Sequence, residues 1–167
     1  MSPMHHQPDG AAFDIVLLLH VACVVVGLVT TATAAATAAR LRRLLGSPQP
    51  LPEPLRRYFR PGVNWAGRTV YGIPVFGFVL IAMSQGAYAL VQGWVVGGLV
   101  LFGGVALVGE GLLWPAERRL QVVLAADEDQ HPTSDGSLDG HASSMSRAAV
   151  AMVVLLIAGT VLMVAQP

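Results

Sequence analysis

The sequence predicts an all-α fold: a four-transmembrane-helix bundle in up-down topology, with a basic cytoplasmic loop after the first helix and a mobile polar linker before the last. Three observations predict it. Four long apolar segments punctuate a chain of 167 residues that is 54% hydrophobic and 12% charged. Such a chain cannot cover itself with polar surface in water, and lipid is the solvent that suits it. The cations are all arginine and they are segregated. Seven (Arg40, Arg42, Arg43, Arg56, Arg57, Arg60, Arg68) fall between the first and second segments, and three (Arg118, Arg119, Arg147) between the third and fourth. None precedes the first segment, joins the second to the third, or follows the fourth. Cytoplasmic loops hold the cations of inner-membrane proteins. Both termini and the turn near Gly93 are therefore expected outside, in a multi-pass protein of the bacterial cytoplasmic (inner) membrane. The net charge is zero, so no attraction to nucleic acid follows.

Residues 1–12 read as an extracytoplasmic tail and 13–126 as a three-helix membrane core. The first span runs from about Phe13 to Ala39, longer than the ~20 residues that cross the hydrocarbon. Thr33-Ala34-Ala35-Ala36 could pass for a signal cleavage site. The preceding region holds Asp9 and Asp14 and no cation, however, and the apolar run is too long for a signal core, so the span is expected to be retained. The loop 40–68 is basic. Prolines at 48, 50, 52 and 54 exclude regular helix over its Gly46 to Pro54 stretch. Leu55-Arg56-Arg57-Tyr58-Phe59-Arg60 mixes arginine with aromatics, as an interfacial helical turn does.

The second span covers about Thr69 to Val91, bent near its inner end by Pro74. Gln92-Gly93-Trp94 leaves room only for an antiparallel hairpin. The third span runs from about Val95 to Trp114 and stops at Pro115, and 116–126 continues as a short amphipathic helix. Residues 127–147 are acidic and rich in Ser, Gly and His, and read as a cytoplasmic linker. The fourth membrane helix occupies 148–167, with its core at about Ala148 to Val164. Trp65 and Trp114 are expected at the inner interface, Tyr88 and Trp94 at the outer one.

A few polar groups lie inside these spans: His20, Gln85, Glu110 and the threonines around Thr30 and Thr33. At about 1.5 Å per residue, His20 and Gln85 both sit about 10 Å below the outer surface, so they can hydrogen-bond, with Ser84 nearby. Glu110 lies near the inner end, level with Thr30 and Thr33 and within reach of Arg68 or Arg40. An ionisable group inside a span marks a site by default. The plainer expectation pairs Glu110 with an arginine and His20 with a neighbouring helix, each fixing packing. A haem held by two histidines needs a second one in the membrane, and no span supplies it. Met4, His5 and His6, with Met83, Met152 and Met163, have ligand chemistry suited to copper but no repeated spacing. No metal or cofactor is therefore expected. Cys23 reads as a small buried hydrophobe.

Small residues mark the expected helix contacts: the Ala/Thr run 32–39, Ala82 with Gly86, and Gly93, Gly97 and Gly104 among the glycines of the third span. In lipid, close packing rather than hydrophobicity drives helix association. No nucleotide loop, hydrolase elbow, zinc motif or catalytic carboxylate pair is present.

Arg60-Pro61-Gly62-Val63-Asn64-Trp65-Ala66-Gly67-Arg68, Gly72-Ile73-Pro74 and Leu113-Trp114-Pro115-Ala116-Glu117-Arg118-Arg119, with His20 and Gly27 in the opening span, resemble small actinobacterial four-helix integral membrane proteins classed as a domain of unknown function. The resemblance covers most of 13–125 and implies the membrane fold; it implies no activity. A chain with ten arginines and no lysine also fits a GC-rich source. A looser similarity to the copper-resistance type of four-helix membrane domain lacks the second intramembrane histidine.

The expected function is a non-catalytic accessory or structural subunit. It packs in the lipid bilayer against another membrane protein or itself. A small proton-linked transporter or channel-like oligomer, and a metal- or haem-associated redox protein, are the alternatives.

Overall fold

The computed structural model describes residues 10–45, 50–84, 86, 88–126 and 136–165. These form helices and turns, with no strand among them. Helix α1 is Ala11–Leu44, α2 Glu53–Tyr58 and α3 Trp65–Arg68; a 3-10 turn, Thr69–Tyr71, leads into α4, Gly72–Met83. Helix α5 is Gly93–Val108, followed by a π-helical turn, Gly109–Leu113, then α6, Trp114–Ala126, and α7, Gly136–Ala165. Among the described residues four helical segments are long and apolar enough to cross a membrane: α1, 65–83, 93–125 and α7. The protein is thus an all-α, four-helix membrane bundle.

The central seam joins α1 to α7, and α7 also carries α5 and α6 while α1 carries α4. Its cause is a period of 3.5. On α1 the buried residues Gly27, Thr31, Ala34, Ala38 and Leu41 step by four, three, four and three. On α7 the buried Leu138, Ala142, Met145, Ala149, Met152 and Leu156 repeat the same rhythm. That spacing keeps one stripe facing its partner along a long antiparallel pair. Small residues on α1 let the larger side chains of α7 come close. At the start of α7, Asp139 accepts from Arg42 Nε at 3.0 Å and fastens the two helices.

Three expectations are corrected. The linker expected through 147 is already helix at Gly136, and Leu138, Ala142 and Met145 are buried in it; residues 127–135 lie outside the described ones. The third span does not stop at Pro115. Proline lacks the N–H and crowds the carbonyl four residues back. Here the backbone widens into the π turn, with Trp114 N–H donating to the Gly109 carbonyl, and the helix runs on. The second span ends at Met83 rather than near 91. Ser84 Oγ donates to the Ile81 carbonyl at 2.7 Å and accepts from Tyr88 N–H at 3.1 Å, and Gly86 has φ 90°, which breaks the helix. The link between α4 and α5 is therefore residues 84–92, not three residues.

The two ends of the bundle differ. At the arginine-bearing end the extensions of α1 and α7 pack with α2 and α6 around Leu41, Leu55, Phe59, Leu120, Leu138 and Met145, all buried. The stretch 55–60, expected to lie on the interface, thus turns its apolar side to protein. Helix α1, at 34 residues, is about 51 Å long against a hydrocarbon core of ~30 Å, so it extends beyond the membrane there. At the opposite end, α4 and α5 scarcely approach one another.

Candidate functional site

The gap between α4 and α5 opens a cavity of about 430 Å³ walled by α1, α4, α5 and α7. Glycines on three of the helices, Gly77, Gly98 and Gly159, line it; an added Cβ would meet the His20 ring at Gly77 and Met163 at Gly98, and open space at Gly159. Along α1 it runs from Phe13 to Val24, a length of about 16 Å at 1.5 Å per residue. Tyr88 and Trp94, edge to face with centroids 5.6 Å apart, stand at its end near the 84–92 turn. The lining is aliphatic and aromatic. Thr160, one of its few polar residues, donates its hydroxyl to the Leu156 carbonyl at 2.8 Å.

His20 also lines this cavity. It is 7% exposed, and its ring rests against α4. A Cβ added to Gly77 would lie 3.5 Å from its Cε1 and 3.7 Å from its Nδ1. Nδ1 is buried against α4 and makes no hydrogen bond of normal geometry; the Ile73 backbone is the hydrogen-bonding group beside the ring. Leaving a buried polar group unpaired costs about 1–3 kcal/mol. A neutral imidazole offers one donor and one acceptor, and His20 is one of the few polar residues of a largely apolar lining.

Glu110 stands in the π turn. Its Oε1 accepts from Tyr71 Oη at 2.8 Å and from Arg68 Nη1 at 3.3 Å. The Arg68 guanidinium lies over the Trp114 ring, 4.8 Å from the centroid. Of the two arginines expected within reach, Arg68 is the one that meets the carboxylate. The Trp114 ring packs so closely on Gly109 that an added Cβ would sit 2.7 Å from it. Trp114 is 4% exposed, a core residue and not the interfacial anchor expected; Trp65 is exposed. Along the second span, His20 is level with Gly77 of α4 and Glu110 with Tyr71 of the 3-10 turn, six positions away. At about 1.5 Å per residue they differ in depth by about 9 Å, too far for contact.

A second polar cluster lies at the arginine-bearing end. Glu117 is 5% exposed, and Asn64 Nδ2 donates to its Oε1 at 3.4 Å. The Tyr58 hydroxyl is buried beside both but makes no hydrogen bond of normal geometry. Burial pushes the Tyr58 phenol well above its usual pKa, and the Glu117 carboxylate acts in the same direction.

Other expected site residues fall as follows. Gln85 lies outside the described residues, as do Met4, His5, His6 and His131. Thr30 and Thr33 donate to carbonyls of their own helix, Val26 and Val29, each at 2.8 Å, and ask for no partner. Arg40, Arg42, Arg43, Arg56, Arg57, Arg60, Arg118 and Arg119 are exposed at one end of the bundle, and Arg68 is half-buried. Gly97 and Gly104 face α7 through Leu162 and Leu155. Gly86 and Gly93 pack against nothing: a Cβ on either would meet no atom within 4 Å. Gly86 belongs to the turn, where its φ decides the residue, and Gly93 is the first residue of α5. Gly77, Tyr71, Asn64 and Glu117 were not singled out from sequence. The signal for Gly77 was its level, opposite His20 on an antiparallel span; Glu117 was masked by the two arginines that follow it. Among the described residues no three His, Cys, Asp or Glu side chains converge as a metal site requires.

Fold and cavity together define a polytopic α-helical membrane protein with an apolar chamber inside its bundle. No family model, no curated protein and no solved structure matches the chain.

Proposed function

We propose that this is a non-catalytic membrane protein that holds a lipid-soluble molecule within its bundle and acts as a binding subunit of a larger membrane assembly. The observation that carries the proposal is the apolar cavity between α4 and α5. Its volume falls in the range of small-molecule pockets, about 300–1,000 Å³. A ligand dissolved in the bilayer reaches it sideways, through the gap those two helices leave, without crossing water. The depth separation of His20 and Glu110 favours binding over proton transfer between them. The arginine-bearing end faces the cytosol, by the rule that orients short basic loops.

The test is extraction. Protein purified in mild detergent is expected to release a lipid-soluble compound in near-stoichiometric amount when taken into organic solvent. The Gly159→Phe variant, which places a ring where an added Cβ meets open space, is expected to release far less. An equal yield from both proteins, or no compound from either, defeats the proposal.

A further inference from the structure

Resting on that reading, we infer that the occupant is a single acyl chain of a membrane lipid, lying upright along the helices with its head group left outside at the Tyr88 and Trp94 end. Four observations select it.

The first is length. The lining covers Phe13 to Val24 on α1 and Trp94 to Val105 on α5. Both stretches advance by the same number of residues and give about 16 Å. That is the depth of one leaflet, half of a hydrocarbon core of ~30 Å. An acyl chain of one leaflet has this reach, whereas a long polyprenyl tail overruns it.

The second is width. A volume of about 430 Å³ over that length leaves a mean cross-section of about 27 Å². Packed apolar chains keep about 4.0–4.5 Å between heavy atoms, so each claims about 16–20 Å². One chain fits and two do not. A fused-ring lipid of the sterol kind is about as broad as two chains and is excluded by the same measure.

The third is chemistry. The residues of the lining include no Arg, Lys, Asp or Glu, so nothing inside offsets a charged head. Thr160 donates its hydroxyl to its own helix, and the His20 ring lies against α4. A methylene chain needs neither. The fourth is position. Tyr88 and Trp94 stand at one end of the chamber, and amphipathic rings of this kind settle at head-group level. A lipid whose head rests beside them sends one chain down the chamber through the gap between α4 and α5. Its other chain stays in the bilayer.

The experiment uses the full chain in phosphatidylcholine nanodiscs. The probe is a phosphatidylcholine with a photoreactive diazirine on one acyl chain, and labelled residues are mapped by mass spectrometry after irradiation. A diazirine near the head is expected to label the Tyr88 and Trp94 end. One near the chain terminus is expected to label around Val105 and Leu155. Gly159→Phe is expected to lower both signals about tenfold. Leu18 and Val25, exposed on α1, are expected to label as in wild type, which also reports that the variant is folded. Gly159→Leu, a smaller plug, is expected to fall between the two. A sterol and a polyprenol bearing diazirines are expected to label the exposed faces only. A fatty acid with the same labelled chain identifies the source: stronger chamber labelling by the phospholipid assigns the chain to a bilayer lipid, and stronger labelling by the fatty acid assigns it to a free acid. Chamber labelling by the sterol or the polyprenol that matches the acyl probe, or a labelled site that does not move with the diazirine along the chain, overturns the acyl assignment and leaves the cavity reading intact. No labelling of the chamber by any probe overturns both.

Discussion

Tyr58 carries a hydroxyl into the protein, beside the Glu117 carboxylate and the Asn64 amide, where it makes no hydrogen bond of normal geometry. The folded chain holds that proton more tightly than the unfolded chain does. Below about pH 10 both states are protonated and the group adds no pH dependence. Above it the unfolded chain ionises first, so the unfolded state binds fewer protons than the native one. Stability then declines as pH rises towards the elevated folded value. Tyr58→Phe removes this contribution together with the poorly bonded buried hydroxyl. Its melting temperature is expected to equal or exceed that of wild type at neutral pH, and to fall less between about pH 10 and 12. Parallel alkaline limbs in the two melting profiles would show that the hydroxyl is not buried as described. Glu110 differs in kind: Tyr71 and Arg68 already satisfy it. His20 and Glu110 were both legible in the sequence because an ionisable residue in an apolar run has few innocent explanations. The Arg68 pairing followed from counting residues. Tyr58 was not legible, because nothing local to 53–60 says that its aromatic side meets protein rather than lipid headgroups.

The helices carry a second lesson about legibility. The start of α7 was read as a linker because Ser, Gly, Asp and His dominate 136–147 by composition. Composition hid a periodic stripe. Leu138, Ala142 and Met145 continue, in the same four-three rhythm, the series Ala149, Met152 and Leu156 inside the membrane. A helix needs apolar residues on one face only, and the polar residues between them face water. Leu138 is buried, so Leu138→Ala is expected to destabilise the protein by about 2–5 kcal/mol, measured by thermal or denaturant unfolding in detergent. A flexible linker would register almost nothing. The span ends show the converse failure. Pro115 reads as a stop, yet the π turn before it absorbs the missing N–H. Residues 84–91 read as membrane helix because Ala, Tyr, Leu and Val are apolar, whereas Ser84 and Gly86 reverse the chain there. Hydropathy reports what a segment is willing to be buried in; local hydrogen bonding decides its backbone shape.

At the scale of the whole molecule, packing and charge divide the bundle into unlike halves. The end that gathers the arginines is closed by α2, α6 and the outer turns of α1 and α7. The other end holds the cavity and has no cation among its described residues. This polarity gives the protein a defined way to sit in a membrane. A unit charge carried across 100 mV involves about 2.3 kcal/mol, and inverting the bundle would carry the whole arginine set across the membrane. The four-span topology was readable from sequence because segregation of charge and spacing of apolar runs are global properties that local errors at 84–91 or 136–147 do not disturb. Single cysteines introduced into a Cys23→Ser background test the orientation. Gly93→Cys lies where a side chain meets open space, and Ser137→Cys is exposed at the arginine-bearing end. In intact cells a membrane-impermeant maleimide is expected to label position 93 and to reach position 137 only after lysis. The reverse pattern would put the arginines outside, and the cavity between α4 and α5 would then lie nearer the cytosolic leaflet.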